Sequence, residues 1–294
     1  MEAAFHIGRY QVFRLEEWQG GFCPPESLFA EFDAEIFNHH AAAFEPDFYR
    51  DGLIYGYVQS WLIDTGDERI IVDTGVGNGK SRPGIPIFEN LDTPFLDQLK
   101  AAGVSPSDID KVFCTHLHID HVGWNTKRHG TQWHPTFPNA RYYFSRDDEE
   151  AWNPGKPGYA TRSGANVNIN VFEDSVAPII AAGLGQLIDN GDSVAAGMNA
   201  WSMPGHTPGH MVLEVECDGD RALFTGDILH HPIQIFRPDW NSVYCEDRKA
   251  AAATRRRVLE YASLTKARIV PAHFGRPYSI FVDRDPDGKF LPIY

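Results

Sequence analysis

Three imidazoles and one carboxylate fall within six consecutive positions, His116-Leu-His118-Ile-Asp120-His121. His116 and His118 are two apart, so on extended backbone both rings point to the same face, and Asp120 and His121 follow on the loop beyond. Neutral imidazole and carboxylate are the ligands that suit zinc and its borderline neighbours. A single histidine is usually a core or surface residue. This density, directly after a short buried strand, points instead to a metal site.

Three later segments can complete such a site. Met203-Pro-Gly-His206-Thr-Pro-Gly-His210 sets a histidine in a Pro/Gly turn, Leu223-Phe-Thr-Gly-Asp227 ends a strand on a carboxylate, and Val270-Pro-Ala-His273 ends another on a histidine. Each alone is a weak signal.

The elements that must position these groups read as alternating strands and helices. Tyr57 to Ile63 and Arg69 to Asp73 form a hairpin across the turn Asp64-Thr-Gly-Asp67, and a Gly-rich loop follows at Gly75, Gly77 and Gly79. Asp92 or Thr93 is expected to cap a helix through Leu96, Leu99 and Lys100 that ends at Gly103, before the strand Lys111 to Thr115. Further strands are expected at 140–144, 199–203, 211–216 and 221–225, with helices opened by Ser145 and running from about Asp247 to Ala262. Residues 153–170, rich in Gly, Pro and Asn, read as a long loop. Residues 1–50 read as an N-terminal arm packed on a domain of residues 51–294. The arm is expected to hold a short helix opened by Pro24, Pro25 and Ser27 that runs through Phe29, Phe32, Ile36 and Phe37.

Composition limits the partners. A net charge of −14, from 26 Lys plus Arg against 40 Asp plus Glu, leaves no basic stripe for a phosphate backbone, so nucleic acid is not an expected substrate. Cys23, Cys114, Cys217 and Cys245 form no C-x-x-C pair and no disulfide framework, which fits a reducing compartment. The first residues lack a basic start and an apolar run, and no stretch approaches the ~20 apolar residues that span a bilayer. A soluble, cytoplasmic protein that does not enter membranes is expected.

Taken together, in order and type, the metal segments resemble the motif set of the metallo-β-lactamase superfamily over roughly residues 56 to 276. Leu62-Ile-Asp-Thr-Gly and Ile71-Val-Asp73-Thr-Gly are similar to its first hairpin. The resemblance implies an α/β (α+β) fold, a four-layer αββα sandwich with the metals at one edge. It implies two Zn2+ per chain, with other divalent metals as substitutes. His116, His118 and His206 would hold one ion, Asp120, His121 and His273 the other, and Asp227 would bridge them. Two cations ~3.5 to 4 Å apart share a bridging water, lower its pKa toward ~7 and polarise a carbonyl or phosphoryl oxygen, so hydrolysis is the implied reaction. Asp120 would orient the hydroxide and relay a proton to the leaving group.

Within the superfamily, His118 stands where flavodiiron proteins carry Glu, and Asp227 where the commonest β-lactamases carry Cys. Only about 20 residues follow His273, too few for the helical domain of hydroxyacylglutathione hydrolases. What remains resembles the branch of acyl-homoserine-lactone lactonases, which act in quorum quenching, and methyl-parathion-hydrolase-like enzymes. Its marks are Gly205-His-Thr-Pro-Gly-His210 and Gly226-Asp-Ile-Leu-His-His231. Many such lactonases place a substrate-touching tyrosine three residues past the bridging Asp, where this chain has His230.

His230 is therefore either a hydrogen-bond donor to the carbonyl or leaving-group oxygen, or a structural residue. His210 is expected to orient a ligand loop. Trp124, three residues after His121, is the aromatic side chain best placed to line an apolar pocket, although core packing is the ordinary role of any one aromatic. Arg248, Lys249, Arg255, Arg256 and Arg257 read as a solvated helix face. His6, His39 and His40 read as surface residues. The expected substrate is a small lactone or carboxylic ester. An organophosphate or aryl ester is the alternative, and a silent metal-binding sensor or interaction module is a third reading. Relatives with an N-terminal arm suggest a homodimer.

Overall fold

The computed structural model of the protein describes residues 2–157, 159 and 163–293. Its first half contains strands β1 (Phe5–Ile7), β2 (Tyr10–Cys23), β3 (Tyr49–Arg50), β4 (Leu53–Asp64), β5 (Arg69–Val72) and β6 (Lys111–Phe113). Next come the separate hairpin of β7 (Thr126–His129) and β8 (Gln132–Pro135), then β9 (Arg141–Ser145) and β10 (Gly185–Ile188). The second half contributes β11 (Ser193–Ala195), β12 (Met198–Ser202), β13 (Met211–Cys217), β14 (Asp220–Gly226) and β15 (Arg268–Pro271), followed by a C-terminal hairpin of β16 (Phe281–Arg284) and β17 (Phe290–Ile293). One sheet runs β1-β2-β4-β5-β6-β9-β10 with β3 paired to β4, and the other runs β11-β12-β13-β14-β15.

Strand alternation sorts side chains into layers. Trp61, Ile63, Ile70, Val72 and Phe113 of the first sheet meet Met198, Ala200, Leu213, Val215, Phe224 and Val270 of the second in one core between the sheets. Their sequence neighbours Leu62, Ile71 and Val112 face outward under helices Phe95–Ala101 and Arg146–Trp152. Val212, Leu223 and Ile269 likewise face helices Ala34–Phe44 and Arg248–Thr265. Both sheets are therefore apolar on two faces, and the result is the expected four-layer αββα sandwich.

Several local expectations are corrected. Residues 1–50 are not only an arm: β2 pairs with β4 from Gln11 to Cys23 and is part of the first sheet. Its clue was the apolar series Val12, Phe13 and Leu15. The single helix expected from Pro24 onward is two, Pro25–Leu28 and Ala34–Phe44. The second is opened by Asp33, whose carboxylate accepts the N–H groups of Glu35 and Ile36. The helix expected to be capped by Asp92 or Thr93 starts instead at Phe95, because the backbone N–H and hydroxyl of Thr93 are both engaged by Asn78. Arg255 is not on a solvated face. It is 1% exposed and donates to the carbonyls of Ile228 and Pro238, bracing the chain after Asp227. His40 is half-buried and stacked on Phe236 at 4.1 Å, whereas His6 and His39 are exposed. Part of the loop expected at 153–170 lies outside the described residues.

Candidate metal centre

The ligand residues come from strand ends on both sheets. β6 stops at Phe113, and the next residues carry His116 to His121, while β14 ends at Gly226 and β15 at Pro271, immediately before Asp227 and just before His273. Gly226 has φ +48°, and a Cβ there would lie 2.5 Å from the Thr115 hydroxyl and 2.8 Å from His210 Nε2, so only glycine fits ahead of the carboxylate.

Asp227 sits between two groups of imidazoles. Its Oδ2 faces His206 Nε2 at 3.2 Å and His116 Nε2 at 3.8 Å, and its Oδ1 faces His273 Nε2 at 2.9 Å and His121 Nε2 at 3.2 Å. His118 Nδ1 lies 2.9 Å from His206 Nε2. Asp120 faces His121 Nε2 and His273 Nε2, each at 3.6 Å. The ligand atoms of His116, His118 and His206 lie within 4.8 Å of one another, and so do those of Asp120, His121 and His273. All seven sequence-predicted ligand residues are thus brought together.

The chemistry of the donors fits divalent cations. His116 Nε2 is buried without a hydrogen-bond partner, an arrangement that costs free energy unless something else binds it, and the nitrogens of His121, His206 and His273 converge on the one Asp227 carboxylate. Burial holds His116 and His118 well below their ordinary protonation range, leaving lone pairs free. Burial also pulls His206 down, but the charge of Asp227 and its hydrogen bond outweigh it and hold the ring at about 9.

The outer nitrogens are held by groups that sequence reading did not single out. His116 Nδ1 meets the Thr115 hydroxyl at 3.1 Å, His121 Nδ1 meets Asp73 Oδ2 at 2.8 Å, and His273 Nδ1 meets the Tyr57 carbonyl at 2.6 Å. His206 Nδ1 lies 3.6 Å from the Cys245 thiol. Such partners select the tautomer that turns the other nitrogen inward. Asp73 also accepts the N–H of Thr115, so one carboxylate ties β5 to the start of the ligand run. Buried Asp148 accepts from Leu117, Thr207 and Gly209 and links that run to the turn carrying His206. His210 has the orienting place expected of it: its Nε2 accepts the Asp227 N–H at 3.1 Å and its ring stacks on His116.

His230 is also in the centre. Its Nε2 lies 3.2 Å from Asp227 Oδ2, its Nδ1 is buried without a hydrogen-bond partner, and burial pushes its pKa down to about 4 against the pull of Asp227. It borders a cleft of about 710 Å³, open mouth included, together with Asp120, Asp227 and His273. The remaining walls include Trp18, Phe22, Leu28, Ile85, Phe88 and Tyr244, and no Lys or Arg is found among the described lining residues. Trp124 is not in this wall. It is 5% exposed, stacks on Phe95 at 5.3 Å and donates its indole N–H to Glu17, because the chain turns inward directly after His121. Among the described residues, no helix is long and apolar enough to cross a membrane.

Residues 54–273 match the family model described as the metallo-beta-lactamase superfamily. A probable metallo-hydrolase of Bacillus subtilis (strain 168), YybB, is 27% identical over 191 residues, which are 63% of this chain and 70% of that protein. The crystal structure of AbOPH, a hydrolase in the beta lactamase superfamily, superposes with a TM-score of 0.82 at 24% identity, covering 98% of this chain and 95% of the other. AidC, a dizinc quorum-quenching lactonase solved with the product N-hexanoyl-L-homoserine, superposes with a TM-score of 0.80 at 24% identity and the same coverage.

Proposed function

The chain belongs to the metallo-β-lactamase superfamily, and from that premise we propose that it is a dinuclear zinc hydrolase opening a lactone or a related carboxylic ester with an apolar substituent. The observation that carries the reading is the two-sided placement of Asp227, one oxygen toward His116 and His206 and the other toward His121 and His273. His116, His118 and His206 would hold one ion, Asp120, His121 and His273 the second, and Asp227 both. When bound, such a pair supplies acidified water and an electrophile for the carbonyl oxygen.

The chain's own residues account for the rest. The cleft takes the acyl or aryl group against Trp18, Phe22, Phe88 and Tyr244. Asp120, partly exposed at the cleft floor, orients the attacking water and passes its proton to the leaving oxygen. His230, held neutral at neutral pH by burial, borders the cleft and donates a ring N–H to the carbonyl or leaving-group oxygen. The product-bound lactonase among the fold relatives supports a lactone as the first substrate to test.

The test is metal analysis of the purified protein, followed by a panel of lactones, p-nitrophenyl esters and phosphotriesters before and after chelation. Chelator-sensitive hydrolysis, greatest on lactones, is expected. Preference for phosphotriesters or aryl esters would move the substrate class to the organophosphate or aryl-ester alternative that the aromatic walls also suit. Two metals with no turnover on the panel would favour a silent binding module.

A further inference from the structure

Glu17 is a buried acid that the proposed chemistry leaves unused. In the pairing of β2 with β4, Glu16 faces Gln59 and Trp18 faces Val58, so Glu17 is the extra residue of a β-bulge. The bulge puts Trp18 in the cleft wall and buries the Glu17 carboxylate at 7% exposure. There it accepts three N–H groups: those of Val76 and Gly77, the latter at 2.9 Å, and the Trp124 indole at 2.7 Å.

Those donors belong to two segments that are locked together. Thr74 N–H donates to the His121 carbonyl, Trp124 N–H to the Thr74 carbonyl and Gly123 N–H to the Gly75 carbonyl, each at 2.7 Å. A Cβ on Gly123 would lie 1.8 Å from the Val76 carbonyl oxygen, and one on Gly75 would lie 2.1 Å from Glu17 Oε2. The stack of Glu17, residues 74–77 and residues 121–125 therefore has no slack, and its second layer begins next to Asp73, the partner of His121.

We propose that Glu17 is a positioning residue for the metal centre, acting through residues 74–77 on the segment that carries Asp120 and His121. The proposal rests on the metal-centre reading above. Three converging donors require an acceptor-only group, which a carboxylate is and an amide is not. An apolar residue at the bulge would leave three buried N–H groups unpaired.

The test is E17Q in the full chain. In its better orientation the amide oxygen keeps Gly77 and Trp124, and the NH2 turns against the Val76 N–H. Amide hydrogen exchange at Val76 should rise at least tenfold, with Gly77 little changed. Zinc competition against a chromophoric chelator should show the site of Asp120, His121 and His273 weakened about 10- to 100-fold, the usual cost of losing an outer-shell partner. The site of His116, His118 and His206 should stay within a few-fold of wild type. Faster Val76 exchange with both affinities unchanged would overturn the proposal, as would equal weakening of both sites. If E17Q does not fold, W124F removes one donor only and should give a smaller, equally site-selective loss; no loss overturns the proposal. These readouts need no substrate. Site-selective loss in a protein that hydrolyses nothing would remove the hydrolytic reading and keep this one, and hydrolysis without selectivity would do the reverse.

Discussion

His121 Nδ1 lies 2.8 Å from Asp73 Oδ2, while its Nε2 lies 3.2 Å from Asp227 Oδ1. One imidazole is thus clamped between an orienting carboxylate from the end of β5 and a carboxylate of the metal centre from the end of β14. Asp73 has φ +54°, an uncommon conformation for a non-glycine residue, and in it the side chain reaches Thr115 and His121 together.

Replacing that carboxylate should loosen one metal more than the other. D73N keeps the size but only one acceptor oxygen for the Thr115 and His121 donors, so affinity for the ion on Asp120, His121 and His273 should fall about 10- to 100-fold. Zinc titration of the apo protein with a competing chelator reads this directly. Unchanged binding at both sites would refute the orienting role.

Metal should also stabilise the fold. Buried His116 Nε2 is unpartnered and the imidazoles of His121, His206 and His273 converge on Asp227, an arrangement present only in the folded chain, so the cation binds it far better than the unfolded one. Linkage gives about 2.7 kcal/mol at free zinc 100-fold above its Kd. Calorimetry with and without zinc should show a clear rise in Tm, absent in D227N.

Trp18 lines the cleft and packs edge-on against Phe88 with ring centroids 5.6 Å apart. W18A should raise KM for a substrate with an extended apolar group about 10- to 100-fold, corresponding to the ~1.5–3 kcal/mol for burying a large apolar side chain. A small change in kcat would mark lost binding in substrate and transition state alike. Steady-state kinetics on short and long acyl chains checks the split, and equal KM values for both variants on the long chain would count against this wall.

His231 lies among Phe29, Phe37, Phe44 and Phe48, and burial pushes its pKa from the ordinary 6.5 down to about 3. Below pH 6.5 the unfolded chain takes up a proton that the folded chain refuses, so this group's contribution is complete above 6.5 and is lost as pH falls toward 3. The slope is about 1.4 kcal/mol per pH unit. H231F orphans the Ile233 N–H that His231 Nδ1 accepts, yet its stability should fall less steeply in that window. Denaturant unfolding from pH 7 to pH 4 compares the slopes, and parallel curves would contradict the assignment.

The candidate metal run His116 to His121 was legible because metal chemistry leaves a local signature: few residue types bind zinc, and a strand followed by a loop places several within reach, while His206, Asp227 and His273 were joined to it through the family resemblance. The four layers were legible too. They came through the family resemblance, with buried strands such as Arg69–Val72 as the local sign, whereas Met211–Cys217 carries Glu214 and Glu216 on one face. Other features were opaque for stated reasons. Trp124 lies close to His121 in sequence but points into the core, since proximity along the chain does not set direction once the backbone turns. Arg255 looked like one of a basic series until its guanidinium was found on two buried carbonyls.

By itself, the sequence determined the types and order of the candidate metal-binding groups and the alternation of strand and helix segments. Only the tertiary structure decided that Asp227 reaches both imidazole groups, that Asp73 and Thr115 hold the outer nitrogens, and that a bulge drives Glu17 under the loop. The physical reason is range. Ligand chemistry and strand periodicity are properties of neighbouring residues, whereas orientation depends on hydrogen bonds between segments 50 to more than 200 positions apart, such as Glu17 with Val76 and Tyr57 with His273.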